Sequence, residues 1–321
     1  MFTFFFLNGV TSGMTFFILA SGLTLVFGVL KILNLAHGSL FMLGAYLAYQ
    51  FTIWLGNFWL AMIIAPLVCA GLGIILERFL LRGMYDIDVH FQLLLTFGLI
   101  LLLEDSTKFI WGVDYKTVSE PEILMGTVPI LGAGYPRYNL FVILAGILVG
   151  IGVWLLLAKT KVGKMVRAAS SEREAASGHG INVPRLYTAV FAFGAWLAGL
   201  AGVVAAPLRS ITMDLGGRTI VEAFAVVVIG GLGSIPGALL GSVILGQLNA
   251  FGIVFFSRFE MAFMYIMMAI VLLIRPRGLI AKEAEWRAFL PCCFIMNLVF
   301  SICKSRRKFL MRRLFCSYWC H

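Results

Sequence analysis

The sequence predicts an all-α fold: a polytopic transmembrane helical bundle of about eight spans, two of them broken or re-entrant. Three observations predict it. Of the 321 residues, 61% are hydrophobic and 12% charged, where a soluble domain carries roughly 25% charged residues, and mean hydropathy is +0.99. Apolar windows about 20 residues long, enough to cross the roughly 30 Å hydrocarbon layer as helices, recur along nearly the whole chain. The alternating pattern of a membrane barrel is absent. The lipid bilayer is therefore the first partner.

The spans fall at about 5–30, 38–55, 58–77, 91–111, 139–158, 187–207, 220–250 and 259–275, to within a few residues. The first window lacks the basic start and cleavage site of a signal peptide and reads as a retained helix. Loop charges give orientation, because Lys and Arg collect on the cytoplasmic side. Lys159, Lys161, Lys164, Arg167, Arg173 and Arg185 crowd one loop; Arg78 with Arg82, and Arg275, Arg277 and Lys282, mark two more. The loops 112–138 and 208–219 mix signs and carry Pro and Gly, which places them outside. The net charge of +10 is thus a topological signal. It implies no nucleic acid, since no polar domain exists to carry one.

Parity then shapes two segments. Between an outer residue 219 and an inner residue 275 the chain crosses an odd number of times. The 220–250 window must go in and return, with "GGLGSIPG" (Gly230–Gly237) as its break. The same count at the front puts a break at Lys31–Gly38. Non-helical backbone is tolerated in a membrane only where protein or water satisfies it. Asn34 is a good helix cap, and Ser234 followed by Pro236 is another helix start. Asn34, His37, Gly38, Ser234, Pro236 and Gly237 are therefore the expected helix breaks. They are candidates to line a pathway, or are simply two helix starts packed on neighbours. "HGSLFMLGA" and "PGALLGSVI" resemble each other weakly, as in an internal duplication of parallel sense; duplicated transporters often place broken helices near their substrate.

The informative polar loop is "RAASSEREAASGHGINVPRL", Arg167–Leu186. Glu174-Ala175-Ala176, three residues, then Gly180 predicts one short helix with a low-profile face, suited to docking in a groove of another protein. The bland alternative is a solvated basic connector.

The spacing Glu174-Ala175-Ala176-x-x-x-Gly180, then Ile181, resembles the coupling loop of permease subunits of bacterial ABC importers. Together with "SGLTLVFGVLKILNLAHGSLFMLGAYLAY" (Ser21–Tyr49) and "AVVVIGGLGSIPGALLGSVILG" (Ala225–Gly246), it resembles the branched-chain amino acid permease family over roughly residues 5–280. The resemblance implies a permease domain at 1–280 with a cytoplasmic coupling loop at 159–186. It also implies a homologous second permease subunit, two cytoplasmic ATP-binding subunits, a periplasmic amino-acid-binding protein and a bacterial inner membrane. Its substrates are expected to be leucine, isoleucine and valine; relatives that carry urea, short amides or other amino acids are the alternative, and a stand-alone secondary transporter is the other class. The basic, His-containing loop (His179) departs from the pattern and leaves the choice of ATPase open.

No ATPase motif is present: Gly163-Lys164 is followed by Met165, and Ala158 stands where the first Gly of a phosphate loop belongs. The chain is thus expected to be no enzyme and to need no cofactor. No Ser-His-Asp set or zinc motif is visible. Glu104 and Lys108, four apart, are expected to pair along one helix, and Glu222 suits a helix entrance. After Arg277-Gly278-Leu279 the chain departs from the family. Residues 281–321 form an atypical basic tail carrying Cys292, Cys293, Cys303, Cys316 and Cys320. Cys316, Cys320 and His321 lack the paired frame of a metal site, and the tail reads as a frameshifted or read-through end, or as a membrane-surface anchor.

Overall fold

The computed structural model describes residues 2–85, 87–130, 133–256, 260–275 and 278–280. The chain divides into a unit of Met1–Ala281 and a second of Lys282–His321; the second, with the expected atypical tail, lies outside the described residues. The long helices are α1 (Phe2–Leu30), α2 (His37–Leu55), α3 (Phe58–Leu76), α4 (Val89–Trp111) and α5 (Arg137–Lys159) in the first half, and α8 (Val183–Ala205), α9 (Leu215–Gly230), α10 (Ile235–Phe256) and α11 (Glu260–Ile274) in the second. Two short helices, α6 (Lys161–Ser171) and α7 (Arg173–Gly178), lie between α5 and α8.

The core sits around α1. Its apolar residues run round the whole helix, and Phe16 to Ala20 are all buried; a helix apolar on every side belongs inside a large core or a membrane. Glycines set how closely its neighbours approach. A Cβ on Gly13 would sit 2.8 Å from the Ser242 carbonyl of α10, and one on Gly44 of α2 would sit 2.5 Å from that of Gly199 on α8. Small residues at such contacts let backbones touch where lipid gives no hydrophobic drive for association. The outer helices differ: Leu144, Leu148, Ile151 and Trp154 of α5 are exposed, as expected of a face turned to lipid.

Contacts order the helix directions. Gly146 and Gly150 of α5 meet Met14 and Phe17 of α1, so these two helices run the same way; α10 opposes them, with Gly9 against Gln247 and Gly28 against Gly233. The 112–136 and 206–214 segments therefore lie at one end, and they meet there. Lys116 and Ile211 exchange backbone hydrogen bonds of 3.2 and 2.8 Å. The first of these segments also holds an antiparallel hairpin, β1 (Thr127–Ile130) with β2 (Ala133–Pro136), a small addition to the all-α expectation.

Among the described residues, five helical stretches are long and apolar enough to cross a membrane: 3–30, 58–84, 137–159, 183–205 and 235–252. The expected count of about eight is not reached on that measure. α9 has only 16 residues, and α4 carries Glu104, Asp105 and Lys108. Among the described residues, no ion pair joins Glu104 to Lys108; the Glu104 carboxylate faces Gly217 of α9 instead.

Candidate functional site

The two expected breaks are both real interruptions of helix. α1 ends at Leu30, and Lys31 turns the chain with a positive φ of 57°. α2 begins at His37, and its N-cap position is Ala36, two residues later than the cap expected at Asn34. The Asn34 side chain still serves this turn: its Oδ1 accepts from the Ala36 N–H at 3.1 Å. His37 Nε2 donates to the Leu19 carbonyl at 3.2 Å, beside Gly22, where a Cβ would crowd the imidazole. Leu19 lies 11 residues before the end of α1, about 16 Å along its axis. The break therefore folds back into the bundle. Asn34, His37, Gly38 and Ser39 are all buried, yet Asn34 Nδ2, His37 Nδ1 and Ser39 Oγ have no hydrogen-bond partner among the described residues.

The second break is satisfied. Gly231 and Gly233 take positive φ of 105° and 83°. Ser234 caps α10, its Oγ accepting from Gly237 N–H at 3.2 Å, with Pro236 in the first turn. Leu279 and Ile280 donate backbone N–H groups to the carbonyls of Ile229 and Gly230, closing the end of α9. Gly237 packs against Gly230, where any side chain would strike backbone.

The loop between α5 and α8 is two helices, where one was expected. Glu172 is extended (φ −152°) and separates them. Thr160 caps α6 by accepting from Gly163 N–H at 3.1 Å, and Gly163 lets α6 fold back against the Leu156 and Leu157 carbonyls. Val166 and Ala169 face inward while Lys161, Lys164 and Arg167 stay exposed. α7 carries Glu174, Ala175 and Ala176; the first two are exposed and Ala176 is buried. Gly180 N–H bonds Ser177 O at 2.9 Å and Ile181 N–H bonds Ala176 O at 3.2 Å. That pair of bonds, with Gly180 at φ 80°, is the Schellman ending of a helix. A Cβ on Gly180 would touch nothing within 4 Å, so within this chain glycine is required there for its conformation and not for space.

A cavity of about 270 Å³ opens at the end of the bundle opposite α7. Asn8, Thr11 and Ser12 of α1, Asn139 of α5, and Arg209 with Asn249 give it a polar wall. Arg209 lies 3.5 Å from Glu222 of α9 and over the ring of Phe16 at 5.4 Å. The six break residues are not among its lining residues.

Sequence reasoning overlooked Glu77. It is fully buried on a π-helical turn, 77–81, that continues α3, and widened turns of this kind are frequent at functional sites. Thr188 of α8 donates to its Oε2 at 2.6 Å, and the Tyr85 hydroxyl donates to its Oε1. Burial and the Glu77 carboxyl hold the Tyr85 phenol above its usual range, so it remains a donor. A carboxyl at the end of an apolar window, beside Arg78 and Arg82, was the available signal.

The family model for "Branched-chain amino acid transport system / permease component" matches residues 5–272. The chain is 28% identical to the high-affinity branched-chain amino acid transport system permease protein BraD of Pseudomonas aeruginosa, covering 86% of this chain and 94% of that one. It is 25% identical to LivH of Salmonella typhimurium, with the same two coverages. It is 29% identical to the probable branched-chain amino acid transport permease protein LivH of Methanocaldococcus jannaschii, covering 84% of this chain and 89% of that one.

Proposed function

The chain belongs to the branched-chain amino acid transport permease family, and on that premise we propose that residues 1–280 are the membrane-spanning subunit of an ATP-driven importer for leucine, isoleucine and valine. Eight spans serve it, counting α9 and α10 as one broken segment that goes in and returns. It works with a homologous second permease subunit, two cytoplasmic ATP-binding subunits and a periplasmic amino-acid-binding protein, in a bacterial inner membrane. The chain performs no chemistry itself; hydrolysis occurs on the partners and the permease changes access.

The observation that carries this reading is α7. Glu174 and Ala175 are exposed, Ala176 anchors the helix, and the Gly180–Ile181 ending fixes its length. That is a short, rigid, low-profile element standing at one end of the bundle, suited to a groove on an ATP-binding subunit. At the other end, the polar cavity suits an amino acid delivered there. The Arg209 guanidinium matches its carboxylate, and the amide oxygens of Asn8 and Asn139 match its ammonium group. Of the two breaks, we place the first beside the pathway, because its unpartnered buried polar atoms are the ones that water or a passing zwitterion would satisfy.

The test is reconstitution of the complex with Gly180→Val and with Glu174→Lys at equal permease levels. Leucine uptake and substrate-stimulated ATP hydrolysis should fall together, while basal hydrolysis by free ATP-binding subunits is unchanged. Normal uptake in both variants would reduce the loop to a solvated connector. Uptake of urea in preference to leucine would reassign the substrate.

A further inference from the structure

The residues around Glu77 join the coupling segment to the bundle. Arg173, the first residue of α7, places its guanidinium 5.9 Å from the ring centre of Tyr85 and 5.9 Å from that of Tyr187. The two rings meet edge to face, 5.2 Å apart and at 81°. Tyr187 is buried on α8, and Tyr85 follows the last turn of the segment that continues α3. Tyr85 bonds Glu77 on the π turn, and Glu77 in turn holds Thr188 of α8. One continuous set of contacts thus runs from the exposed helix α7 through two rings to a carboxyl shared by α3 and α8.

We propose that Arg173, Tyr85, Tyr187 and Glu77 form a latch that transmits displacement of α7 to the inner ends of α3 and α8. The proposal rests on α7 being the ATPase contact. A carboxyl in an apolar bundle is costly unless it is paired, and here both oxygens are occupied by hydroxyls from different elements. Glu77 therefore ties α3 to α8 where each would otherwise slide past the other. A π turn carries one extra residue per turn and marks a place where a helix departs from the ordinary ladder, so the inner end of α3 is the part of that helix best able to shift. The guanidinium gives α7 a directional grip, since a cation over an aromatic face is held by the ring quadrupole. Glu77 and Arg173 are positioning residues in this scheme: neither needs to touch the substrate.

The experiment uses the whole complex in proteoliposomes and reads leucine taken up per ATP hydrolysed, together with recovery of the ATP-binding subunits on the permease. Arg173 is exposed, so Arg173→Ala should insert and fold. It should keep the ATP-binding subunits bound, while uptake per ATP falls about five- to thirtyfold, the factor that two lost cation–π contacts give an equilibrium. Arg173→Lys, which keeps the charge, should recover part of the ratio. Tyr85→Phe keeps the ring but cuts the bond to Glu77, and should lower the ratio with α7 still docked. An unchanged ratio in Arg173→Ala, alongside loss of uptake in Glu174→Lys, would overturn the latch and leave the coupling reading standing. Loss of the ATP-binding subunits from Arg173→Ala would also overturn it, making Arg173 a docking residue. Unimpaired uptake in Glu174→Lys and Gly180→Val would instead remove the coupling reading on which the latch rests.

Discussion

The two helix breaks do the same topological job with opposite economies of hydrogen bonding. The second, 231–234, turns on two glycines, caps its outgoing helix with Ser234 and has the carbonyls of the incoming helix closed by Leu279 and Ile280. The first, 31–36 with the start of α2, turns on a lysine with positive φ and buries Asn34, His37 and Ser39 with atoms that no described residue matches. Unpaired buried polar atoms each cost about 1–3 kcal/mol, and a side chain in the left-handed region adds about 1–2 kcal/mol. The second break is a finished joint. The first leaves buried polar atoms that no described residue satisfies, which makes it the better place to look for change during transport.

The sharpest way to break this contrast is to wedge both joints. Gly237→Ala forces a Cβ into the Gly230 carbonyl, and Gly38→Ala forces one against Gly216 and Ile220. Each should cost about 1–3 kcal/mol, as overpacking does, read as a lower melting temperature in detergent and lower yield in membranes. A tolerated Gly38→Ala with a damaging Gly237→Ala would show that the first break yields; equal damage would show both held alike at the backbone. A smaller effect comes from the caps. Ser234→Ala should cost about 1 kcal/mol. Asn34→Ala should cost less, because it removes an unpaired amide together with the acceptor for Ala36, but it should lower uptake more. Equal stability losses would dissolve the contrast. The smallest effect is at Lys31: Lys31→Gly should raise stability by up to about 1 kcal/mol by relieving the turn, and a loss would mean that its side chain matters more than its backbone.

How much of this was legible depended on range. The all-α bundle follows from apolar windows, though the expected count of eight spans was not reached among the described residues, and the breaks follow from polar and glycine residues within them, because helix length and backbone satisfaction in lipid are local constraints. The split at Glu172 was not legible, since Arg167–Ala176 is mostly helix-forming and the interruption arises where α7 turns on to the bundle. The hairpin at 127–136 shows no alternation that would announce strands. Glu77 was missed for a different reason: its partner Thr188 is 111 residues away, and no spacing rule links them. The residues of the α7 motif sat between these cases. Gly180 was marked by its motif, but its reason is a positive φ in a helix ending, which required the Ala176–Ile181 hydrogen bond to see.

The glycine contacts between α1 and α10, α2 and α8, and across the second break carry an evolutionary consequence. Every single-base change in a glycine codon is silent, a stop, or the arrival of a residue with a Cβ. At Gly13, Gly44, Gly199, Gly230 and Gly237 that Cβ would meet a neighbour at or below 2.8 Å. These positions therefore have no gentle neighbour in sequence space: drift that elsewhere trades one apolar side chain for another must here pass through a wedged helix pair or stop.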